Sequence, residues 1–339
     1  MDNRTITEAL TYQDVLLVPQ YSDIRSRKEV DISSESNGLV LPVPVIASPM
    51  DTVSENSMAD AMNACGGLAI IHRYNSPEEQ AWHVSNTYGL TGAAIGMTGD
   101  FRERAQAVIE AGAEVLCVDV AHGHHISMRT ALEWLKNNCG DAHIIAGNVA
   151  TLDGFNALAD WGADSVRCNI GGGSICTTRT QTGHGVPGLH TIFDCAKSEN
   201  AGSVGIIADG GIRNSGDIVK ALAAGADFVM LGSLLAGTTE APGRVIFDDD
   251  GKQYKAYRGM ASREAQKDWR GHHGTPEGVA SRVPFRGSVT KIIEDLAGGV
   301  RSGFSYTGAR NIRELQSKAR FIRQTAAGQV ESSAHIYKR

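Results

Sequence analysis

Short apolar, β-branched runs recur along the chain between stretches of helical spacing. Val43–Ala47, Leu68–His72, Ala93–Met97, Val115–Val120, His143–Val149, Ser165–Ile170, Gly205–Asp209 and Phe228–Leu231 read as strands, and each gap between them can hold a helix. The helices carry their own punctuation. Asp100 and Glu103 predict a capping box, Phe101, Ala105, Val108 and Ile109 form the apolar stripe that follows, and Gly112 ends it. The same exit recurs as Ala111-Gly-Ala-Glu114, Trp161-Gly-Ala-Asp164 and Ala224-Gly-Ala-Asp227, each leading straight into a strand through a glycine C-cap. One joint design repeated through eight β/α alternations predicts a (β/α)8 TIM barrel; a doubly wound sheet would need an edge reversal that is not visible.

Beyond the barrel, Val245–Tyr257 predicts a β-hairpin turned at Asp250-Gly251. The polar stretch that follows, from about 260 to 278, predicts a mobile flap over the barrel mouth. With 339 residues, 42% of them hydrophobic, and no low-complexity linker, residues 1–339 are expected to form a single catalytic domain. A net charge of −6 and no Lys/Arg-rich block argue against nucleic acid or a membrane surface as partner, which leaves a small molecule. No secretory segment or membrane-length apolar run is visible, so the expected compartment is the cytoplasm. The six cysteines show no CxxC spacing and are read as reduced thiols; five sit in core-like contexts. Cys176 does not.

Cys176 lies in the loop Asn169-Ile-Gly-Gly-Gly-Ser-Ile-Cys-Thr-Thr-Arg179, where three glycines free the backbone to aim amides at an anion or carbonyls at a cation. A thiol with a reference pKa of ~8.5 attacks as thiolate only with help from such dipoles or a cation. In a TIM barrel the site lies at the carboxyl ends of the strands, and Asp51, Asp119, His122, Asn148, Asp209 and Ser233 all fall there. Phosphate commonly binds after strands 7 and 8 of such barrels; Gly210-Gly211 and Gly232-Ser233 occupy those positions, with Ser174 a third donor. Asp209, just before the glycine pair, is placed to accept bonds from ribose hydroxyls, which suggests a nucleoside monophosphate. Thr178 and Glu277 supply a hydroxyl and a carboxylate for proton relay. His122-Gly-His-His125 invites a zinc reading, but no Cys or carboxylate completes a four-ligand set. His272 and His273 read as solvated flap residues.

These residues belong to longer motifs: Tyr12-Gln-Asp-Val-Leu-Leu17, Pro49-Met-Asp-Thr-Val53, Gly147-Asn-Val149, Gly173-Ser-Ile-Cys-Thr-Thr-Arg179, Ala208-Asp-Gly-Gly211, Tyr257-Arg-Gly-Met260 and Gly298-Gly-Val-Arg-Ser302. Through them the chain resembles the IMP dehydrogenase and GMP reductase family from about Leu10 to Arg323. The resemblance implies that Cys176 attacks the purine C2 and that Ser174, Gly210, Gly211, Gly232, Ser233 and Tyr257 hold the phosphate. It further implies that Asp209 holds the ribose, that Arg258, Gly259 and Met260 complete the substrate site, and that Asp119, Ala121, His122 and Asn148 face a nicotinamide dinucleotide. The carbonyls of Gly171, Gly173 and Cys176 would hold a monovalent cation, potassium in the family. Homotetramers are the family's expectation.

Both branches pass hydride between C2 of a covalent adduct and a nicotinamide. Here Ile71-His-Arg-Tyr-Asn-Ser76 runs on to the third strand without a paired CBS regulatory insertion, the flap is short, and Trp269-Arg270 stands where a dehydrogenase carries its water-activating Arg-Tyr pair. Thr178 with Glu277, Met260-Ala-Ser262, Ile24–Asp31 and Phe304-Ser-Tyr306 look reductase-like, whereas Val118–Gly123, Gly232–Gly237 and Pro276-Glu-Gly278 look dehydrogenase-like. The first expectation is an NADPH-dependent GMP reductase, with Arg286, Arg301 and Lys318 the candidates for its 2'-phosphate. The alternative is an NAD-dependent IMP dehydrogenase without CBS domains, with Arg270 as a displaced base. Two departures from the family pattern, Asn169-Ile-Gly-Gly-Gly173 for Gly-Ile-Gly-Pro-Gly and His184 in the next turn, keep a modified purine nucleotide as a third possibility. A turnover-free nucleotide-binding protein and a flavin-dependent barrel are the readings from other classes.

Overall fold

Eight parallel strands close into a ring in the computed structural model, which describes residues 6–332. They are β1 (Val45–Ala47), β2 (Leu68–Ile71), β3 (Gly92–Ile95), β4 (Val115–Asp119), β5 (His143–Val149), β6 (Ser165–Cys168), β7 (Gly205–Asp209) and β8 (Phe228–Leu231). Pairing follows chain order, and β8 returns to β1 with Leu231 opposite Ala47. The expected barrel is present. Several strands end earlier than their apolar runs, because His72, Met97, Val120 and Ile170 have already left the ladder to form the mouth.

The helices are α1 (Asn56–Ala64), α2 (Pro77–Ser85), α3 (Phe101–Glu110), α4 (Ile126–Asn138), α5 (Leu152–Asp160), α6 (Thr178–Thr182), α7 (Gly188–Cys195), α8 (Ser215–Ala223), α9 (Arg263–Arg270) and α10 (Val289–Thr307). Of these, α6 belongs to the Cys176 loop and α9 to the flap. The repeated exits behave as read: Gly112, Gly162 and Gly225 take φ of 107°, 103° and 117°, which only glycine adopts without strain. Two of the acidic residues after them stitch the barrel, since Asp164 accepts from Ile144 N–H and Asp227 from Ile206 N–H, each at 2.8 Å. The capping box at Asp100 is not formed. Arg104 is almost fully buried and needs a counter-charge, so the Asp100 carboxylate turns to it at 2.8 Å instead of capping the helix.

Strand alternation sorts the core into two layers. Leu116, Val118, Ala146, Val166 and Ala208 face the helices. Ile46, Val115, Cys117, Ile145, Ile207 and Met230 face inward with Leu39 and Leu41, from a small hairpin of Ser34–Ser36 and Leu39–Leu41. One step further up this inward face stand Asp119, Gly147, Arg167 and Asp209. The barrel interior is thus apolar below and charged at the mouth.

The hairpin forms from β9 (Ile246–Phe247) and β10 (Gln253–Arg258), turned at Gly251 with φ 76°, and β11 (Ala280–Pro284) adds a third strand. Between β10 and β11 lies the flap, which is more regular than its composition suggests. Ser262 caps α9 through Ala265 N–H, and Gln266 then ties the returning chain down by accepting from Gly274 N–H at 2.9 Å. No helix among the described residues is long and apolar enough to cross a membrane.

Candidate active site

A cavity of about 860 Å³ opens at the carboxyl ends of the strands. It collects Ser174, Cys176, Thr178, Asp209, Tyr257 and Glu277 from loops that are far apart in sequence. Glu277 reaches Cys176 because the end of the flap pairs with the nucleophile loop: Thr177 N–H donates to Glu277 O at 2.9 Å and Val279 N–H to Ile175 O at 3.0 Å. The side chains then line up. Cys176 Sγ is 3.2 Å from Thr178 Oγ1, which donates to Glu277 Oε2 at 2.8 Å.

Facing this chain is a cradle of backbone amides. Gly211, Gly232 and Ser233 line the cavity, and among the described residues none of their N–H groups donates to another group. Unmatched amides at a concave wall have the chemistry to accept an anion. Gly232 must stay bare, since a Cβ there would lie 2.9 Å from the Tyr257 hydroxyl and 3.0 Å from Ser48 Oγ. Burial raises the Tyr257 phenol above its ordinary pKa, with the Ser174 hydroxyl pulling the other way, so the phenol keeps its proton and can donate at neutral pH.

Four consecutive strands supply a charged lattice on the floor. Asp209 Oδ2 accepts from Arg167 Nη2 at 2.8 Å and from Asn148 Nδ2 at 2.7 Å, while Arg167 Nη1 also donates to Asp119. Asp209 Oδ1 makes no bond among the described residues, which leaves it to a ligand. Arg167 is the residue that sequence reading passed over. An arginine within an otherwise apolar parallel strand was the available signal, because a buried charge must be paired.

The second arm of the cavity runs past Gly96, Asp119 and Ala121 to the flap. There Arg73 lies over the rings of Tyr74 and Trp269, at 5.1 and 5.3 Å from their centroids, and Arg270 covers the outer face of Trp269 at 4.6 Å. Burial pushes the Tyr74 phenol up to about 12. Arg73 Nε is a buried donor without a hydrogen-bond partner among the described residues, 3.9 Å from Asp119 Oδ2.

Some predicted site residues lie elsewhere. Arg258 alternates away from the mouth between Tyr257 and Gly259, and its guanidinium instead clamps Asp51, at 2.6 Å, to Asp268 of α9. His122 is exposed and does not line the cavity, because the chain turns outward after Ala121. His125 caps α4 by accepting from Ser127 N–H, and no group of three His, Cys, Asp or Glu among the described residues is placed to hold a metal ion. Arg286, Arg301 and Lys318 are not on the cavity wall; Lys318 Nζ is held by Gly308 O and Glu314. His184 is exposed and turned to Thr182 O at 2.8 Å.

Within the Asn169–Gly173 segment, the asparagine at 169 and the glycine at 172 form one arrangement. Asn169 folds its amide back to donate to Asp209 O at 2.7 Å, and a Cβ on Gly172 would sit 2.1 Å from that same nitrogen. The asparagine occupies the place of any side chain at 172.

A sequence profile of the IMP dehydrogenase / GMP reductase domain matches residues 9–335. The chain belongs to this family. Within the family of purine-nucleotide oxidoreductases, it is 34% identical to an inosine-5'-monophosphate dehydrogenase of Nitrosopumilus maritimus, over 97% of this chain and 98% of that one. It is also 34% identical to a GMP reductase of Leishmania major, over 98% and 97%. The crystal structure of a point variant of GMP reductase from Trypanosoma brucei, in complex with guanosine 5'-monophosphate, superposes with a TM-score of 0.94 at 32% identity, covering 98% of each chain. The first two alignments run over 468 and 480 positions against 339 residues here, so at least 129 and 141 positions have no counterpart in this chain. Extra length thus accompanies both names, and its absence does not separate the branches.

Proposed function

We propose that this family member is a GMP reductase: it converts GMP to IMP and ammonia with NADPH. The observation that carries the reading is the Cys176–Thr178–Glu277 chain, with bonds of 3.2 and 2.8 Å. Deamination needs a proton at the departing amine, and a hydroxyl backed by a carboxylate beside the nucleophile can deliver one. Arg270, which a dehydrogenase would need as base, is stacked on Trp269 instead.

With the phosphate on the Gly211, Gly232 and Ser233 amides and the ribose on Asp209, the purine lies over Cys176. Sγ adds to C2 as its thiol proton passes through Thr178 to Glu277; the same relay returns that proton through Thr178 to the exocyclic nitrogen, which leaves as ammonia. The thioimidate so formed accepts hydride at C2, the chemistry a bound nicotinamide dinucleotide supplies, and expulsion of Sγ releases IMP. The second arm suits such a dinucleotide because it is lined by Tyr74, Trp269 and Arg73, whose Nε is a buried donor that makes no hydrogen bond among the described residues. A potassium ion fits as well. The Gly171 and Cys176 carbonyls accept no bond among the described residues, and that of Gly173 accepts only from Cys176 N–H. Assembly as a homotetramer is part of the same proposal.

The test is absorbance at 340 nm in two parallel reactions, GMP with NADPH and IMP with NAD, each with and without potassium. A fall in the first that is lost in Cys176→Ala supports the reductase. A rise in the second alone establishes the dehydrogenase, the name borne by a relative as similar to this chain as the reductase is.

A further inference from the structure

We propose that Arg167 is a positioning residue that couples the two ligand subsites, so that nucleotide and dinucleotide bind cooperatively through one shared guanidinium. The inference rests on the reductase reading for the identity of the ligands, and on the geometry of the barrel floor for everything else.

Arg167 sits on the inward face of β6 with only 7% of its side chain exposed. Its Nε and Nη2 donate to Asp209 Oδ2 at 3.2 and 2.8 Å, and its Nη1 points the other way, to Asp119 and to Cys117 Sγ at 3.6 Å. Asp209 serves the nucleotide arm and Asp119 the dinucleotide arm. A guanidinium is planar, with its donors in a fixed fork, so turning one carboxylate tilts the plane that holds the other. The Asp119 carboxylate has one other cation near it, Arg73, whose Nε lies 3.9 Å away and whose Nη2 donates to the Asp119 main-chain oxygen at 3.2 Å rather than to the carboxylate. Asp209 is held a second time, by Asn148. The tether is therefore asymmetric, and a ligand that orders Asp209 also orders Asp119.

The close approach that makes the tether possible is built into the neighbouring strand. Gly147 pairs with Arg167 in the ladder, and a Cβ there would lie 2.6 Å from Arg167 Cβ. The arginine is also committed to its charge, since the two carboxylates raise its pKa against the burial that would lower it.

The experiment uses GMP and NADP+, an unreactive pair because GMP carries no hydrogen at C2 to surrender as hydride. Titration calorimetry gives the affinity for each ligand with and without saturating amounts of the other, for the wild type, Arg167→Lys and Asp119→Asn. Wild type is expected to bind NADP+ at least about 5-fold more tightly with GMP present, and GMP more tightly by the same factor with NADP+ present, as linkage demands. Lysine pairs with one carboxylate at a time, so in Arg167→Lys the factor should fall to within about 2-fold of unity. GMP affinity alone should change little, because Asn148 still holds Asp209. Asp119→Asn cuts the tether from the other side and carries the test if Arg167→Lys does not fold. A purely structural role for Arg167 would weaken both ligands and leave the coupling factor as it was. An unchanged factor in both variants, or a wild-type factor of one with both ligands bound, overturns the coupling and leaves the reductase reading standing; wild type that binds no GMP overturns both.

Discussion

Replacing Gly172 by alanine should destabilise the protein only while Asn169 is present. The added methyl would lie 2.1 Å from Asn169 Nδ2 and 2.7 Å from Oδ1, so the amide must leave its place. It then gives up the 2.7 Å bond to Asp209 O, worth about 0.5–1.5 kcal/mol net. Crowding in a packed loop adds about 1–3 kcal/mol, and the stiffer unfolded chain returns about 0.4–1 kcal/mol. The expected net cost is about 0.5–4 kcal/mol, centred on about 2. In Asn169→Gly the three nearest obstacles to that methyl are gone, since all are Asn169 atoms, and the same substitution should cost less than about 0.5 kcal/mol. Urea unfolding of the wild type, both single variants and the double variant gives the interaction energy directly. Costs that add to within about 0.5 kcal/mol would refute the claim that the two positions form one arrangement.

Glu277→Gln keeps the shape of the relay but lacks the carboxylate that returns the proton to Thr178, so kcat should fall by about 100-fold or more with little change in GMP affinity; steady-state rates and calorimetry check the split. Gly147→Ala forces a methyl to 2.6 Å from Arg167 Cβ and should cost about 1–3 kcal/mol in denaturant unfolding. Asp227 is buried behind its bond to Ile206 N–H, and burial raises its carboxyl to about 6. A folded pKa above the unfolded one means that its contribution is fully present below pH ~4 and lost as pH rises through 6, by about 2–3 kcal/mol. The stability of the wild type relative to Asp227→Asn should therefore fall by that amount between pH 4 and 7, and a flat difference across this range would contradict the assignment.

The barrel was legible in the sequence because its determinants are local. Apolar runs of strand length and glycine exits at Gly112, Gly162 and Gly225 recur on a regular beat, and a positive φ is a property of one residue. The placing of Cys176 and of the glycines after β7 and β8 on one cavity was legible for a related reason, since chain topology alone puts the ends of parallel strands on one face. Asp100 misled because local spacing does not say which way a side chain points, and for the same reason the resemblance does not show that Arg258 and His122 lie off the cavity wall. Asp100 answered to a buried Arg104 that its own helix supplied, and Arg258 to the carboxylates of Asp51 and Asp268. Arg167 and the Asn169–Gly172 pair were hidden for the converse reason, because their partners come from neighbouring strands and loops. Architecture and the meeting of Cys176 with the glycine-rich turns therefore follow from the order of residues along the chain, whereas the charges that meet at the barrel mouth were chosen by folding. Backbone preferences act over a few residues, but the pairing of a buried charge depends on whatever the closed ring brings within about 3 Å of it.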